Sequence, residues 1–426
     1  MNLKKFWAAL TLAAFIFVGA EAAPRGQMPA SELLRLDEAP KGEIARPLPQ
    51  LTPENSGLNP SYTVTPMQNT RPVAPDDALP NVTATAAIVI EASTGHILYE
   101  RNPDLTMQPA SVTKMMTLIM ALEHGGLDEI VTVGEGAFNA DGATLWLNVG
   151  EKIPLGDLLY AMILTSANDG TIAVAEHCGG NVADFAARMT QRAKELGALN
   201  TNFTNANGFP DPIHYSTARD LAIMAAYGFT LPHFEEIVSA KDASFSWLHD
   251  DTKRIRNENQ MLWLYRGANG VKTGYTNVAG RCIVTSAKQN GVQLIAVVLD
   301  SLYVWNDAIF LLDYGFSRVS SQTLIQPDQV VKTLPIISGR RKSMQVKSAG
   351  EIVMPVFADD TNAYDIVYDL PENLTAPVRS GDVIGKIRVV LPDGREASSV
   401  DVVTTLDVEQ KSFFRLMLNK IRGLFA

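Results

Sequence analysis

Two groups of strand-forming residues stand far apart in this chain, and a long helix-forming stretch separates them. The first is Ala87-Ile88-Val89-Ile90, which a turn at Ala92-Ser93-Thr94-Gly95 joins to His96-Ile97-Leu98-Tyr99. The second opens with Val271-Lys272-Thr273-Gly274-Tyr275. It continues in Cys282-Ile283-Val284-Thr285 and in Val292 to Leu299, the last two joined through Asn290-Gly291, a strong hairpin dipeptide. Between the groups, apolar residues recur at helical spacing. Leu155, Leu158, Leu159, Met162 and Ile163 mark one helix. Phe185, Met189 and Leu196 mark another behind an Asn181 cap, and Ser216 caps a third that runs through Ala226. A further helix carrying Trp305, Ile309, Phe310, Leu312 and Phe316 follows the last strand. Strands at both ends and helices in the middle predict one antiparallel sheet completed by the first and last segments, with a helical subdomain inserted: an α/β (α+β) domain over 84–328.

The flanking segments read differently. Residues 1–22 carry a charged start at Lys4 and Lys5, an apolar run from Phe6 to Val18 and small residues at Ala20-Glu21-Ala22. That is a secretory signal peptide, too short in its apolar run to span a bilayer. Residues 23–83 are rich in proline and hold no lasting apolar period, which predicts a disordered or extended spacer. Over 329–405, short strands such as 351–356 and 382–390 alternate with turns at Ser380-Gly381 and Pro392-Asp393-Gly394, the texture of a small all-β domain. In 406–426, Phe414, Met417, Leu418, Ile421, Leu424 and Phe425 fall on one helical face. Lys411, Arg415 and Arg422 fall opposite, with Lys420 at the flank. This is the layout of an amphipathic membrane-association helix.

A length of 426 residues suffices for two or three domains, and 46% hydrophobic against 19% charged residues is a globular balance. The net charge of -10 argues against nucleic acid as a partner. Export places Cys178 and Cys282 where disulfides form; their segments favour two buried thiols, with a disulfide as the alternative. The six histidines, at 96, 124, 177, 214, 233 and 249, show no His-Glu-x-x-His or paired ligand spacing, so no metal and no cofactor is expected.

The chemistry concentrates at Pro109-Ala110-Ser111-Val112-Thr113-Lys114. Ser111 and Lys114 are three apart, one helical turn, ahead of the apolar run from Met115 to Leu122. A serine hydroxyl is a weak nucleophile until a base removes its proton. A lysine held dry and near another cation becomes such a base, because both influences favour its neutral form. One motif of this kind arises by chance. Here Ser111-x-x-Lys114 is followed, in order and once each, by Ser166-Ala167-Asn168 and Lys272-Thr273-Gly274. That set is the signature of penicillin-binding proteins and class A β-lactamases.

The surroundings of the motifs resemble the low-molecular-mass penicillin-binding proteins, the D-alanyl-D-alanine carboxypeptidases. The resemblance is carried by 92–100, 109–114, Asn257-Glu258-Asn259 ahead of 270–276, and 376–382, and it extends over about 84–426. It implies a β-lactamase/transpeptidase-like fold and a serine-type carboxypeptidase that removes the terminal D-alanine from peptidoglycan stem pentapeptides through an acyl-enzyme on Ser111. Penicillins would acylate the same residue. The resemblance further implies that Lys114 takes the Ser111 proton, Ser166 relays it toward the leaving amine, and Asn168 holds Lys114 and the substrate amide. Lys272 would supply positive potential, Thr273 would bind the terminal carboxylate, and Gly274 and Tyr275 would complete the substrate-binding edge. The backbone N–H groups of Ser111 and Tyr275 would form the oxyanion hole. The implied partners are the peptidoglycan stem peptide, β-lactam antibiotics and, through the tail, a membrane surface on the periplasmic side of the bacterial cytoplasmic membrane.

Two departures from the family pattern stand out. The middle motif has Ala167 where glycine is more usual, and no arginine follows the 292–299 strand to help hold the carboxylate; Arg281 is a candidate in its place. The alternatives are a DD-endopeptidase or weak β-lactamase on the same fold, or a non-catalytic cell-wall-binding protein. A β-lactamase needs a deacylating base, and the nearest match to its motif, Glu195 to Asn200, is one residue too long. A scaffold with a vestigial site predicts a broken motif, and all three are whole.

Overall fold

The computed structural model describes residues 79–249, 252–359 and 363–411. The expected signal peptide, nearly all of the expected spacer and the tail from residue 412 lie outside the described residues. In chain order the first elements are β1 (Ala86–Glu91), β2 (Ile97–Arg101), a 3-10 turn (Ala110–Thr113) that runs into α1 (Lys114–His124), β3 (Ile130–Thr132) and β4 (Lys152–Pro154). Helices α2 (Leu155–Thr165), α3 (Asn168–Gly179), α4 (Val182–Glu195), α5 (Ala218–Gly228) and α6 (Phe234–Ser239) follow. A short ribbon, β5 (Asp242–Ser244) with β6 (Arg254–Arg256), precedes β7 (Ala268–Thr276), β8 (Gly280–Gln289), β9 (Val292–Ser301) and α7 (Val304–Arg318).

The main sheet has the order β2-β1-β9-β8-β7, and every neighbouring pair is antiparallel. The first and last segments of the domain meet at β1 and β9, with Ile88 opposite Val297. Both faces of this sheet are buried. Along β9, Ile295, Val297 and Leu299 enter the core shared with α1 to α6, whereas Leu294, Ala296 and Val298 enter the core shared with α7. Burial on two faces explains why Leu294–Leu299 reads as an unbroken apolar run rather than an alternating one.

A second unit follows α7 directly. β10 (Val319–Ile325) pairs with β13 (Ile352–Phe357). A six-stranded sheet joins β11 (Val330–Ile337), β12 (Ser343–Ser348), β14 (Asp365–Asp369), β15 (Leu374–Thr375), β16 (Val383–Val390) and β17 (Glu396–Thr404) in the order β14-β16-β17-β12-β11-β15. Leu334, Val346, Ile387, Val389 and Val402 fill its core. Its contacts with the first domain include Arg395 Nη2 donating to the Thr94 carbonyl at 3.0 Å and the His96 ring stacked on Phe357.

Several expected boundaries shift, each for a local reason. The spacer stops short of 83, since Val82 is buried and the Thr83 hydroxyl donates to Asp307 Oδ2 at 2.7 Å. The β unit starts at Val319 rather than 329; the polar run Ser320-Ser321-Gln322-Thr323 hides a strand held by its backbone against β13. Residues 406–411 are not the first turns of a helix. Val408 is buried and exchanges two backbone hydrogen bonds with Val378, at 2.8 and 3.0 Å, and the Lys411 N–H donates to Ser338 O. The helix expected to start behind Ser216 is capped by Thr217, whose side chain accepts from the Asp220 N–H. The two cysteines are free thiols, Cys282 buried and Cys178 half-buried.

Candidate active site

Ser111 lies in the 3-10 turn, and Lys114 is the first residue of α1. Behind them Met115, Met116, Leu118 and Ile119 are buried, so the helix is anchored along its length. The turn is entered through Ala110 at a φ of 51°, a left-handed conformation. It is pressed from one side by Gly208, where a Cβ would stand 1.8 Å from the Ala110 carbonyl oxygen. Only glycine leaves room there.

Lys114 is fully buried, and three oxygens surround its Nζ: Ser111 Oγ at 2.9 Å, Asn168 Oδ1 at 2.7 Å and the Asn207 carbonyl at 3.0 Å. Two of these can only accept. A neutral amine has two hydrogens and one lone pair, so the hydrogens go to Asn168 and Asn207 and the lone pair faces the Ser111 hydroxyl. Burial, and secondarily the charge of Lys272, holds the Lys114 amine well below the usual lysine range, which makes that neutral form accessible. Lys272 is itself buried and pushed down to about 8 by desolvation. Glu258 opposes the shift in both lysines.

The Asn168 amide is oriented from three sides. Its N–H donates to Ala143 O and its Nδ2 donates to Asp141 O, each at 2.6 Å, which turns Oδ1 toward Lys114. The loop it grips is held in turn by Asp169, whose carboxylate accepts from the Leu145, Leu147 and Gly170 N–H groups. Ser166 ends α2 in a left-handed conformation at a φ of 60°, the break between α2 and α3 that puts Ser166 and Asn168 at one lip of the cleft.

The opposite lip is β7, an edge strand of the sheet. Gly274 lies against the serine turn: a Cβ there would stand 3.0 Å from Pro109 O, Ser111 N and Val112 N. A side chain at 274 would push the strand off the turn, which is the physical reason for glycine at the end of Lys272-Thr273-Gly274. A cleft of about 590 Å³ runs between the lips, lined by Ser111, Ser166, Asn168, Thr273, Gly274 and Tyr275. Lys114 and Lys272 are buried beside it. The eight residues read from the sequence are therefore brought together.

The cleft is also lined by residues outside those eight, of which the sequence points to Arg281 and not to Asn207. Asn207 supplies the third partner of Lys114, and the turn dipeptide Asn207-Gly208 was its only sequence signal. Glu258 and Arg281 also line the cleft, and the Arg281 guanidinium lies over the Tyr275 ring at 5.4 Å from its centroid. Glu195, weighed above as a deacylating base, is outside the cleft lining and pairs with Arg192 at 3.2 Å.

With this geometry in hand, likeness to known proteins is informative. Residues 71–302 match the family described as D-alanyl-D-alanine carboxypeptidase, and residues 320–410 match the C-terminal domain of penicillin-binding protein 5. The chain is 31% identical to the D-alanyl-D-alanine carboxypeptidase DacA of Haemophilus influenzae, over 82% of this chain and 92% of that one. It is 30% identical to DacF of Bacillus subtilis, over 78% and 88%. Among solved structures, penicillin-binding protein 5 from Haemophilus influenzae is similar at 31% identity and a TM-score of 0.55, covering 78% of this chain and 99% of that one.

Proposed function

The chain belongs to the D-alanyl-D-alanine carboxypeptidase family of serine peptidases, and from that premise we propose that Ser111 is its nucleophile and Lys114 the base that activates it. The enzyme is a serine-type D-Ala-D-Ala carboxypeptidase. Ser111 Oγ attacks the carbonyl carbon between the two D-alanines while its proton passes to the Lys114 lone pair. The carbonyl oxygen becomes an oxyanion, for which the Ser111 and Tyr275 backbone N–H groups are the donors in reach of a helix start and a strand edge. When the tetrahedral intermediate collapses, the C–N bond breaks. The departing amine takes the proton from Lys114 by way of the Ser166 hydroxyl. A water then attacks the acyl-enzyme, with Lys114 again accepting a proton, and the shortened peptide leaves.

Asn168 holds Lys114 in register, and Lys272 adds the positive potential that keeps Lys114 neutral. Thr273 takes the terminal carboxylate, and Arg281, on the neighbouring strand, supplies the guanidinium that the segment after β9 lacks. A penicillin presents its β-lactam amide where the D-Ala-D-Ala amide lies and acylates Ser111 in the same way. The observation that carries this reading is the hydrogen inventory at Lys114 Nζ, which leaves its lone pair for Ser111. Fluorescent penicillin should label the wild type and leave Ser111→Ala unlabelled, and mass spectrometry should find D-alanine released from a pentapeptide only by the wild type. Equal labelling of both would refute the assignment of the nucleophile.

The reading extends to location. An N-terminal signal peptide, the β unit as a pedestal and a basic amphipathic helix beyond residue 411 would set the cleft off the outer face of the cytoplasmic membrane, toward the cell wall. The support for the helix is its sequence pattern, six apolar residues on one face against basic residues on the other.

A further inference from the structure

The two helices that begin at the cleft with Lys114 and Asn168 run away from it and each reaches a histidine at its far end. His124 is the last residue of α1, and His177 is in the last turn of α3. The loop after α1 brings Glu129 between them. Glu129 Oε2 lies 2.9 Å from His177 Nε2 and 3.5 Å from His124 Nε2, and the three ligand atoms all fall within 4.8 Å of one another. A tetrahedral ion with bonds of about 2.0–2.1 Å keeps neighbouring ligand atoms about 3.3 Å apart, and the two Glu129 distances bracket that value. Both helices also present their negative dipole ends here, which favours a cation.

The loop is set in advance. Gly125 and Gly126 both have positive φ, the Glu129 N–H donates to Gly126 O at 2.7 Å, and Glu129 O accepts from the Leu155 N–H at 2.8 Å. A Cβ on Gly126 would stand 2.0 Å from Glu129 Oε1, so glycine is what lets the carboxylate fold back over the turn. All three side chains keep some exposure, which leaves further coordination positions to water. The catalytic reading uses none of them, and along α1 they stand about 15 Å from Lys114.

We propose that His124 Nε2, His177 Nε2 and Glu129 Oε2 form a binding site for a divalent transition-metal ion of the Zn²⁺ class. Two imidazoles and one carboxylate suit such an ion better than Mg²⁺ or Ca²⁺, which take oxygen ligands. Without metal, His177 donates Nε2–H to Glu129. Binding needs that nitrogen's lone pair, so the ring hydrogen moves to Nδ1 and the carboxylate contact is replaced by a shared ion. The ion then fastens together the far ends of the helices whose near ends hold Lys114 against Asn168.

The test is calorimetric titration of the chelator-stripped, tag-free protein with ZnCl₂, alongside His124→Ala, His177→Ala and Glu129→Gln. One saturable site is expected in the wild type, weakened at least about tenfold in every variant, and saturating Zn²⁺ should raise the melting temperature of the wild type alone. Mg²⁺ should do neither. Penicillin acylation checks that each metal-free variant is folded, and Glu129→Gln keeps the size of the side chain if losing a histidine disturbs a helix end. Absence of saturable uptake by the wild type, or uptake that folded variants keep unchanged, overturns the site.

Discussion

Asn168→Asp puts the proton chemistry to its most direct test, because it changes one atom and one charge at the base. The carboxylate would stand where Oδ1 now lies, 2.7 Å from Lys114 Nζ. At an effective dielectric of about 20, two unit charges at that distance attract by about 6 kcal/mol. Most of this is offset by desolvating the new carboxylate. If only a third remains, about 2 kcal/mol, Lys114 holds its proton about thirtyfold more tightly, which is the most by which its neutral fraction can fall. The substitution also removes the donor to Asp141 O, a loss of about 1–3 kcal/mol in stability, so folding is checked first by circular dichroism. Stopped-flow acylation by a chromogenic penicillin should then slow, by up to about thirtyfold and most at the acid end of the working pH range. The sign of the pH dependence is fixed as well. A lysine whose pKa has been raised gains neutral form as pH rises, so the variant's rate should climb with pH where the wild type is already level. An acylation rate near that of the wild type, or a slow rate that ignores pH, would refute the view that Lys114 acts as a neutral base governed by Asn168.

Other substitutions probe the remaining groups. Lys114→Arg should abolish acylation, since a guanidinium does not give up its proton at any working pH. Lys272 loses its charge as pH rises through about 8, and if its positive potential also draws the anionic end of a penicillin, wild-type acylation should decline on the alkaline side; Lys272→Arg should keep more activity than Lys114→Arg and move that decline upward. Arg281→Ala should raise KM for a D-Ala-D-Ala peptide about tenfold or more while leaving acylation of a substrate analogue without the terminal carboxylate nearly unchanged. Deleting residues 412–426 should release the protein from membranes in a fractionation assay and leave peptide hydrolysis intact; retention on membranes would mean that the tail is not the anchor.

The legible parts of the fold were those with period and turn chemistry. The hairpin at Asn290-Gly291, the break at Ser166-Ala167 and the Asn181 cap all left local marks, and the three motifs identified the cleft before its geometry was known. What stayed hidden is three-dimensional. Nothing around Asn207 announces that its carbonyl will meet Lys114, because the contact spans residues 93 apart in sequence. Val408 reads as part of an amphipathic helix, yet burial against Val378 pulls it into an extended bridge. β10 is invisible for the opposite reason, since its polar residues face outward while the backbone carries the pairing. The histidines at 124 and 177 lack ligand spacing along the chain and come together only because α1 and α3 end side by side.

The departure at the carboxylate end of the cleft follows from the register of β7 and β8. Tyr275 is paired with Arg281, and Thr273 with Ile283. Directly paired residues on neighbouring strands share a face of the sheet. A side chain at 281 therefore projects on the same face as Thr273 and Tyr275, and the guanidinium over the Tyr275 ring shows that it leans toward the strand that lines the cleft. An arginine reaching in from the loop after β9 would have to be ordered by contacts of its own, because loop residues gain little from the sheet's hydrogen bonds. An arginine on β8 is positioned by the ladder itself, and its guanidinium lies over the Tyr275 ring. Among the described residues that line the cleft it is the single lysine or arginine, while the substrate of a carboxypeptidase ends in a carboxylate. The carboxylate seat proposed at Thr273 calls for a fixed cation nearby, and the sheet register offers Arg281 for that task without help from the segment after β9.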